Sequence, residues 1–413
     1  MSFDASLSST SVTGRAAVWW PIFAGFSASL VGIGLARFAY TPLIPPLIQA
    51  HWFAASDVVY LGAANLAGYL LGALLGRPVA HRLTNALTLR AMMVLVTVAF
   101  LACAFPVSVA WFFFWRLLSG VAGGTIMVLV AATVLPHVPA DRKGLASGAI
   151  FLGLGVGIAA SGTLVPLLLS FGLRNTWIGI AVLSAALTLA TWRGWPSARA
   201  SQVHQSHAAA VANTHDALTV RVLYAEYALM ALGLVPTMVF LVDFIARGLG
   251  AGAHVGASYW ILYGAGAIFG APVYGFIADR FGGRFAVRTL SLLQIVVVAA
   301  FAMSSNQIVI GVLTLVVGSF PPGIVPMMLA RVHEVVPHDH AEQHRVWSRV
   351  TTTFAAFQAI AGYAYSAIFN ASGGNHRLLF AIGAVALVWV LIVDYVAPHI
   401  SRERVAGENH NNR

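Results

Sequence analysis

Charged residues are scarce in this sequence of 413 residues, because Asp, Glu, Lys and Arg together make up only 9% of it. A soluble globular chain is usually about one quarter charged, so this chain cannot cover a water-exposed body of its size. Cysteine is scarcer still. The single residue, Cys103, excludes a disulfide framework and a cysteine-based metal cluster. Hydrophobic residues make up 59%, and the composition therefore predicts a protein whose solvent is lipid.

Long apolar runs indicate how the chain crosses that lipid. A spanning helix needs about 20 apolar residues, and it satisfies its own backbone hydrogen bonds where water is absent. The third and fourth runs are separated only at Pro106 and Ser108. Twelve runs of sufficient length predict an all-α membrane protein of twelve transmembrane helices: 18–43, 58–79, 87–105, 109–135, 145–170, 175–194, 218–245, 255–278, 287–303, 308–330, 347–369 and 378–396.

The basic residues predict the orientation. With both termini inside, only Arg174, Arg247 and Arg377 fall in the outer loops, while the inner loops and tails hold most of the remaining Lys and Arg. This asymmetry satisfies the positive-inside rule, so both termini are predicted to be cytoplasmic. The net charge of +10 is dispersed over loops, which does not favour nucleic-acid binding. Residues 1–14 lack the pattern of a cleavable signal, so the first helix is expected to remain in the mature protein.

Internal similarity predicts two related halves. Val138-Pro139-Ala140-Asp141 and Val336-Pro337-His338-Asp339 lie 198 positions apart, as do Gly120 and Gly318. The longest polar interior stretch lies between the sixth and seventh spans. The predicted organisation is a tail at 1–17, a six-helix bundle at 18–195, a linker at 196–217, a second six-helix bundle at 218–397 and a tail at 398–413. A solute site is expected between such bundles at mid-depth.

The loop between the eighth and ninth spans reads Gly275-Phe276-Ile277-Ala278-Asp279-Arg280-Phe281-Gly282-Gly283-Arg284. It resembles the loop signature of the major facilitator superfamily (MFS), Gly-x-x-x-Asp-Arg-x-Gly-x-Arg. The resemblance implies two pseudo-symmetric six-helix bundles and a gating role for Gly275, Asp279, Arg280, Gly282 and Arg284, with Asp279 facing a helix N-terminus or an arginine. An ordinary charged turn is the alternative. The first-half counterpart has Ala80 in place of the aspartate, which argues against symmetric gating.

Two early helices resemble the YbfB/YjiJ group of bacterial MFS carriers. The runs are Gly32 to Pro45 and Ala64 to Leu74. The resemblance implies a bacterial inner-membrane secondary transporter of a small solute, working by alternating access without a cofactor. A monomer is expected. The fifth span lacks the Gly-Pro pair of the superfamily's antiporter signature, so export by that hallmark has no support.

Arg37 and Arg116 lie deep within predicted spans, away from the span ends where other arginines fall. Arg116 belongs to Trp115-Arg116-Leu117-Leu118-Ser119-Gly120, which resembles the Arg-x-x-x-Gly motif of the superfamily's fourth helix. A charge at that depth costs about 3 kcal/mol on insertion scales, so each needs a partner or a wet cavity. Two guanidinium groups at similar depth suggest an anionic or carboxylate-bearing solute. The alternative is bonding to backbone carbonyls or snorkelling.

Glu226 is the best intramembrane carboxylate, and it is a candidate for carrying a coupling proton. A pair with Arg221 is the alternative. Asp243 is expected to form a rim salt bridge with Arg247, and Asp394 to be interfacial. Further candidates for solute contact are uncharged polar groups in apolar runs, which otherwise bond between helices: Tyr40, Asn65, Tyr263 and Gln358.

Other functional classes have weaker support. Four histidines before the eleventh span, His333, His338, His340 and His344, would allow a metal site, although solvated loop histidines are the simpler interpretation. A membrane-embedded enzyme would need catalytic groups gathered at one depth, and none are gathered in the sequence. A non-transporting sensor or scaffold with a carrier fold stays open, because it would differ only in binding without flux.

Overall fold

The computed structural model describes residues 10–139, 142–196, 217–336 and 340–411, and these residues contain helices and no strand. Twelve long helical segments follow one another, labelled α1 to α12 along the chain. Their bounds are α1 Thr10–Ser29 with Leu30–Leu35, Ala36–Phe38, Thr41–Leu43 and Ile44–Gln49; α2 Ala55–Leu83; α3 Asn85–Cys103; α4 Val109–Val134 with Leu135–His137; α5 Lys143–Leu169; α6 Leu173–Ala190; α7 Ala217–Asp243 with Phe244–Gly248; α8 Ala253–Phe281; α9 Gly283–Met303; α10 Gln307–Gly318 with Phe320–Val335; α11 His340–Ala371; and α12 His376–Asn411.

Eleven of these segments are long and apolar enough, within the described residues, to cross a membrane. The remaining segment, α11, is 32 residues long but more polar. It packs against α7 and α2, so polar side chains on the packed faces meet protein instead of lipid. Ser366, for example, donates hydrogen bonds to the carbonyls of Gly362 and Val59. The predicted all-α membrane fold with twelve transmembrane helices is confirmed.

The predicted spans coincide with these helices. The division of the third and fourth spans is also right, since α3 ends at Cys103 and the Ser108 hydroxyl caps α4 by accepting from Trp111 N at 3.1 Å. Four ends differ clearly. The first helix begins at Thr10 and the first pass continues to Gln49, α11 begins at His340, and α12 continues through the predicted tail to Asn411. The tail residues 1–9, most of the predicted linker (197–216), and repeat positions 140–141 and 337–339 lie outside the described residues.

Consecutive helices run in opposite directions, so their turns alternate between two faces. We call "distal" the face with the turns near residues 50–54, 104–108, 170–172, 249–252, 304–306 and 372–375, and "proximal" the face that includes residues 84, 138–139, 282 and 336. The proximal face is the one that the arginine distribution predicts to be cytoplasmic.

Glycines repeat the same close helix crossing in both halves. A Cβ on Gly68, Gly72 or Gly120 would lie 2.0–2.1 Å from a backbone oxygen across the α2–α4 contact. Gly266, Gly270 and Gly318 make the α8–α10 contact in the same way, with separations of 2.0–2.2 Å. Each second-half glycine, and the oxygen it faces, lies 198 positions after its first-half counterpart. The repeat seen in the sequence is therefore a repeat of helix packing.

The two sets of six helices meet on their distal sides. Helix α5 crosses α8 so closely that a Cβ on Gly264 would lie 2.3 Å from Ala159 N. Helix α2 packs along α11, and Thr41 of α1 donates a 3.0 Å hydrogen bond to the Met238 carbonyl of α7. These residues lie in the distal halves of their helices, so the passage between the halves is closed on the distal side.

Candidate functional site

Helix α1 is irregular where it passes the middle of the molecule. Residues Leu30–Leu35 form a π-helical turn, followed by three helical residues, Ala36–Phe38, and a 3₁₀ turn, Thr41–Leu43. Pro42 removes a backbone donor, and Gly34 lets α5 approach closely, because a Cβ there would lie 2.7 Å from Gly157 Cα. Such π-turns free backbone carbonyls from the helical ladder and often occur at functional sites.

Arg116 of α4 binds the carbonyl that this irregularity frees. Its Nη1 donates a 2.7 Å hydrogen bond to Ala36 O, and its Cζ lies 4.2 Å from the centre of the Tyr40 ring. Asn65 Nδ2 points at the same carbonyl at 3.4 Å and donates to Ser119 Oγ at 2.9 Å. Arg116 is only 2% exposed. The geometry favours the structural alternative for Arg116, because its charge already serves a helix backbone.

Tyr40 and Asn65 are likewise occupied. The Tyr40 hydroxyl donates a 2.7 Å hydrogen bond to Val58 O, and both residues are buried. The structure thus gathers three of the predicted site residues, Tyr40, Asn65 and Arg116, around one break in α1. Whether any of them contacts solute stays a prediction.

Arg37 lies in the same break, but its guanidinium has no comparable partner. The residue is partly buried, and its Nε and Nη2 are enclosed without a hydrogen bond. Its Cζ lies 5.6 Å from the Phe38 ring centre and 5.1 Å from that of Tyr69. Aromatic faces give a cation about 0.5–2 kcal/mol, less than the roughly 3 kcal/mol cost of a charge within a span. Water or an anion is needed to complete the surroundings of Arg37.

Two more of the predicted residues offer unpaired polar atoms in the interior. The Tyr263 hydroxyl makes no close hydrogen bond, although Thr237 is near enough to interact with it, and it also interacts with the charge of Arg37. Gln358 Oε1 is also unpaired, while its Nε2 makes only a weak 3.8 Å contact with Met238 Sδ. Tyr263 belongs to the second half and Arg37 to the first, so the structure brings predicted residues of both halves together.

Glu226 belongs to a different cluster, nearer the proximal face. It is fully buried, and its carboxylate oxygens make no close hydrogen bond, although the Asp394 carboxyl is near enough to interact with it directly. The nearest charges that act on it are those of Arg331 and Asp394. The predicted partner, Arg221, is exposed and makes no described ion pair with it, so that alternative is wrong: one or two turns along α7 separate the two side chains, and Arg221 points outward.

Asp394 is the centre of this cluster. It is 1% exposed, so the carboxylate is enclosed by protein, and its predicted interfacial depth stays a prediction. Arg284 Nε donates to it at 3.0 Å, Arg288 forms a second hydrogen-bonded ion pair, and Arg331 Nη2 lies 3.5 Å away. The sequence around Asp394 in α12 is apolar and does not predict these three arginine contacts, because the arginines come from α9 and α10. The arginine of the gating signature, Arg284, is therefore a structural partner of Asp394.

The acidic residue that faces a helix N-terminus at this loop is Glu334 of α10, where the sequence had suggested Asp279. Glu334 accepts hydrogen bonds from the backbone of Gly283, at 2.5 Å, and of Arg284, at 3.0 Å, and so caps the N-terminus of α9. Asp279 is exposed with no ion pair among the described residues, so the expected contact with a helix end or an arginine is not formed here. Arg280 is exposed too. Gly275 lies in α8, and Gly282, with a φ of +92°, forms the turn.

A cavity of about 440 Å³ opens at the distal face beside Arg247 and His376. Both residues already bind Asp243: Arg247 through a two-point ion pair, and His376 Nε2 at 2.6 Å. The predicted Asp243–Arg247 pair is present, but Asp243 is fully buried instead of lying on a rim. The Asp243 carboxylate compensates the positive charge of Arg247 and His376. An anion in this cavity would therefore meet less uncompensated positive charge than it would beside Arg37.

Among the described residues no group of three or more metal-ligating side chains occurs, and His338 lies outside them.

Comparison of the sequence with protein families identifies the class. The model of the family described as "Uncharacterised MFS-type transporter YbfB" matches residues 29–395. The chain therefore belongs to this family of MFS transporters, as the loop signature and the two early helices predicted. Comparison with curated proteins finds no match.

Solved structures agree on the fold. A bacterial homologue of the human lysosomal transporter Spinster, in an inward-facing and unoccupied conformation, superposes with a TM-score of 0.73 at 14% identity, covering 94% of this chain and 97% of that one. A D-xylose–proton symporter gives 0.68 at 13% identity, covering 92% and 96%. At these identities the likeness shows the fold alone. The protein is a multi-pass membrane transporter of the MFS type.

Proposed function

We propose that this transporter carries a small carboxylate-bearing solute across the bacterial inner membrane, and that Arg37 binds the carboxylate. The supporting observation is the half-buried guanidinium of Arg37, which has aromatic neighbours and no counter-ion. A planar guanidinium matches a carboxylate with two parallel hydrogen bonds. A solute that supplies the missing negative charge would bind where a neutral one would leave the charge unpaired.

Alternating access would follow from rocking of the two bundles, 18–195 and 218–397, within one monomeric chain. Distal closure by α5 with α8 and α2 with α11 supports a state open towards the proximal side. The arginine distribution supports a cytoplasmic location for both termini, and hence an inward-facing state. The loop Gly275–Arg284 and the Asp394 cluster would control the proximal side in the second half only, since Ala80 replaces the acid in the first.

Proton coupling is the second part of the proposal. Glu226 is fully buried beside the Asp394 carboxyl, its two oxygens make no close hydrogen bond, and the charges of Arg331 and Asp394 act on it. A carboxylate in this position changes the charge of the second bundle when it takes up a proton. That change would alter how firmly the proximal cluster holds together.

Uptake into proteoliposomes tests the carboxylate site. A panel of carboxylates and their neutral amides is offered to wild-type protein and to Arg37→Gln and Arg37→Lys variants, with and without a pH gradient. The matched control is Arg174→Gln, which removes an exposed arginine. We expect Arg37→Gln to lower carboxylate uptake about 10- to 100-fold, because a hydrogen bond to a charged group contributes about 1.5–3 kcal/mol. Uptake of neutral solutes alone would overturn the carboxylate proposal, and binding without uptake would indicate a sensor.

The coupling proposal has its own assay. Glu226→Gln should abolish accumulation driven by a pH gradient and leave solute exchange, without a gradient, within about twofold of wild type. Glu342→Gln is the control, because its ion pair with Arg345 lies at the surface. Equal loss of both activities in Glu226→Gln would argue against a coupling role.

A further inference from the structure

We infer that a negatively charged phospholipid binds the first bundle near its proximal end, with its phosphate at Arg90 between α3 and α6. This site is separate from Arg37 and does not depend on which solute is carried. Three features support it: an arginine without an acid, exposed tryptophans beside it, and an apolar stripe that continues towards the middle of the membrane.

Arg90 has no acidic partner among the described residues. Its Nε is enclosed without a hydrogen bond, and its Cζ lies 5.5 Å from the centre of the Trp192 ring. The first bundle, 18–195, contains only two acids, Asp57 and Asp141. Asp57 is in the first turn of α2, at the distal end, and Asp141 lies outside the described residues. The described protein therefore supplies no negative charge to this guanidinium.

The second half shows how protein satisfies the corresponding arginine. Arg288 lies 198 positions after Arg90 and forms an ion pair with Asp394 of α12. Its Cζ also lies 4.0 Å from the centre of the Tyr395 ring. Helix α3 packs on α6 as α9 packs on α12, so Trp192 supplies the aromatic neighbour in the first half while the acid is missing. A phosphate from outside the chain would supply that charge.

Exposed tryptophans place Arg90 at the depth of lipid headgroups. Trp192 is 40% exposed and Trp20 of α1 is 48% exposed. Both belong to one region, because a Cβ on Gly194 would lie 3.1 Å from Trp20 Nε1. Tryptophan is enriched where the hydrocarbon meets the headgroups. Arg193 is exposed next to Trp192, so a second positive charge is available at this depth, and basic pockets between helices on the cytoplasmic side bind anionic headgroups.

An apolar stripe distinguishes a lipid from a soluble anion. Arg90 shares one face of α3 with exposed apolar side chains spaced three or four positions apart, and α6 adds two more: Leu87, Val94, Val98 and Leu101 on α3, and Val182 and Leu189 on α6. From Arg90 the stripe runs towards the distal face, which is the direction that acyl chains of the proximal leaflet take. Inorganic phosphate would gain nothing from this surface, so the ligand that fits is a lipid.

Native mass spectrometry of the full-length protein in detergent tests the site, with dioleoyl phosphatidylglycerol and dioleoyl phosphatidylcholine as probes. Arg90→Gln should weaken phosphatidylglycerol binding about tenfold, because a charged hydrogen-bond donor is lost. Arg90→Lys keeps the charge and should weaken it less. Wild-type protein should bind the zwitterionic lipid about fivefold less well. Arg174→Gln is the matched control, because Arg174 also lies over an aromatic ring, with its Cζ 4.5 Å from the Phe105 centroid, but at the distal face.

Fluorescence in proteoliposomes locates the bound lipid. Phosphatidylglycerol brominated on its acyl chains quenches nearby tryptophans, so the difference between wild type and Trp192→Phe reports quenching of Trp192. That difference should shrink in the Arg90→Gln background and stay unchanged in the Arg174→Gln background. Thermal unfolding of each purified variant shows that it is folded. If Arg90→Gln does not fold, stronger quenching of Trp192 by brominated phosphatidylglycerol than by brominated phosphatidylcholine in the wild-type background decides the question.

Several results would overturn the lipid site. Equal binding of phosphatidylglycerol by wild type and Arg90→Gln would do so, as would an equal loss in Arg174→Gln. Equal binding of phosphatidylcholine would refute the need for a negative charge. Displacement of the lipid by millimolar inorganic phosphate would show that the site holds a soluble anion. The carboxylate proposal stands or falls separately, because solute uptake measures it.

Discussion

Arg116 of α4 donates a 2.7 Å hydrogen bond to the backbone carbonyl of Ala36 in α1, 80 residues earlier in the chain. The neighbouring Arg37 makes no hydrogen bond through its enclosed nitrogens. Two arginines of similar depth therefore differ in their contacts: Arg116 bonds the irregular helix through Nη1, although its Nε has no partner, whereas Arg37 makes no such bond.

Stability should separate these two arginines. Arg116→Gln leaves a buried carbonyl without its charged donor and should lower the free energy of unfolding by about 1.5–3 kcal/mol. Arg37→Gln removes an unpaired charge from the apolar layer and should leave stability unchanged or raise it. Thermal unfolding of both variants in the same detergent measures the difference. A loss in Arg37→Gln as large as that in Arg116→Gln would contradict the assignment of a free guanidinium.

The glycine crossings predict a strong position dependence for a single methyl group. In Gly120→Ala the new Cβ would lie 2.1 Å from Asn65 O, a backbone atom that cannot move without shifting α2. Overpacking of this kind costs about 1–3 kcal/mol or more. Gly148→Ala is the matched control, since no atom lies within 4 Å of its added Cβ, and alanine there should be neutral or stabilising. Equal melting temperatures would refute the α2–α4 contact.

The cap on α9 predicts that Glu334, which lies outside the loop signature, contributes more to stability than Asp279, which lies within it. Glu334→Gln weakens two hydrogen bonds to the backbone at Gly283 and Arg284 and should cost about 1 kcal/mol. Asp279→Asn should cost less than about 0.5 kcal/mol, because its side chain is exposed and unpaired in this state. Hydrogen exchange at the first turn of α9 reports the loss of the cap locally. Faster exchange in Asp279→Asn alone would reverse the assignment.

The Asp394 cluster predicts a large penalty for removing one charge. Asp394→Asn leaves Arg284, Arg288 and Arg331 near one another without their central carboxylate, and breaking such a buried pair costs about 3–5 kcal/mol. Asp57→Asn, in the first turn of α2, should cost about 0.3–1 kcal/mol. Unfolding by heat at fixed detergent concentration compares the two. A cost for Asp394→Asn below about 1 kcal/mol would show that the arginines find water instead.

Much of the fold was predictable because its signals are local. Apolar runs of spanning length and the turn residues between them placed the helices, and even the short gap at Pro106 and Ser108 was correctly interpreted. The pair Asp243–Arg247 was predictable because two residues four positions apart on a helix lie on the same face. The arginine partners of Asp394, the buried surroundings of Glu226 and the exposure of Asp279 were not predictable, because each depends on residues from other helices. Glu334, Tyr69 and His376 escaped notice for the same reason.

The sequence by itself determined that this chain crosses a membrane in two related sets of six helices, because hydrophobicity, basic-residue placement and the 198-residue repeat are properties of the chain alone. The tertiary structure decided which buried charges are satisfied. A hydrogen bond between helices depends on where they cross and which side chains face each other, and no spacing along one helix encodes that. The proposed function rests on the unpaired guanidinium of Arg37. Only the tertiary structure distinguishes it from Arg116, because α4 places Arg116 against the Ala36 carbonyl.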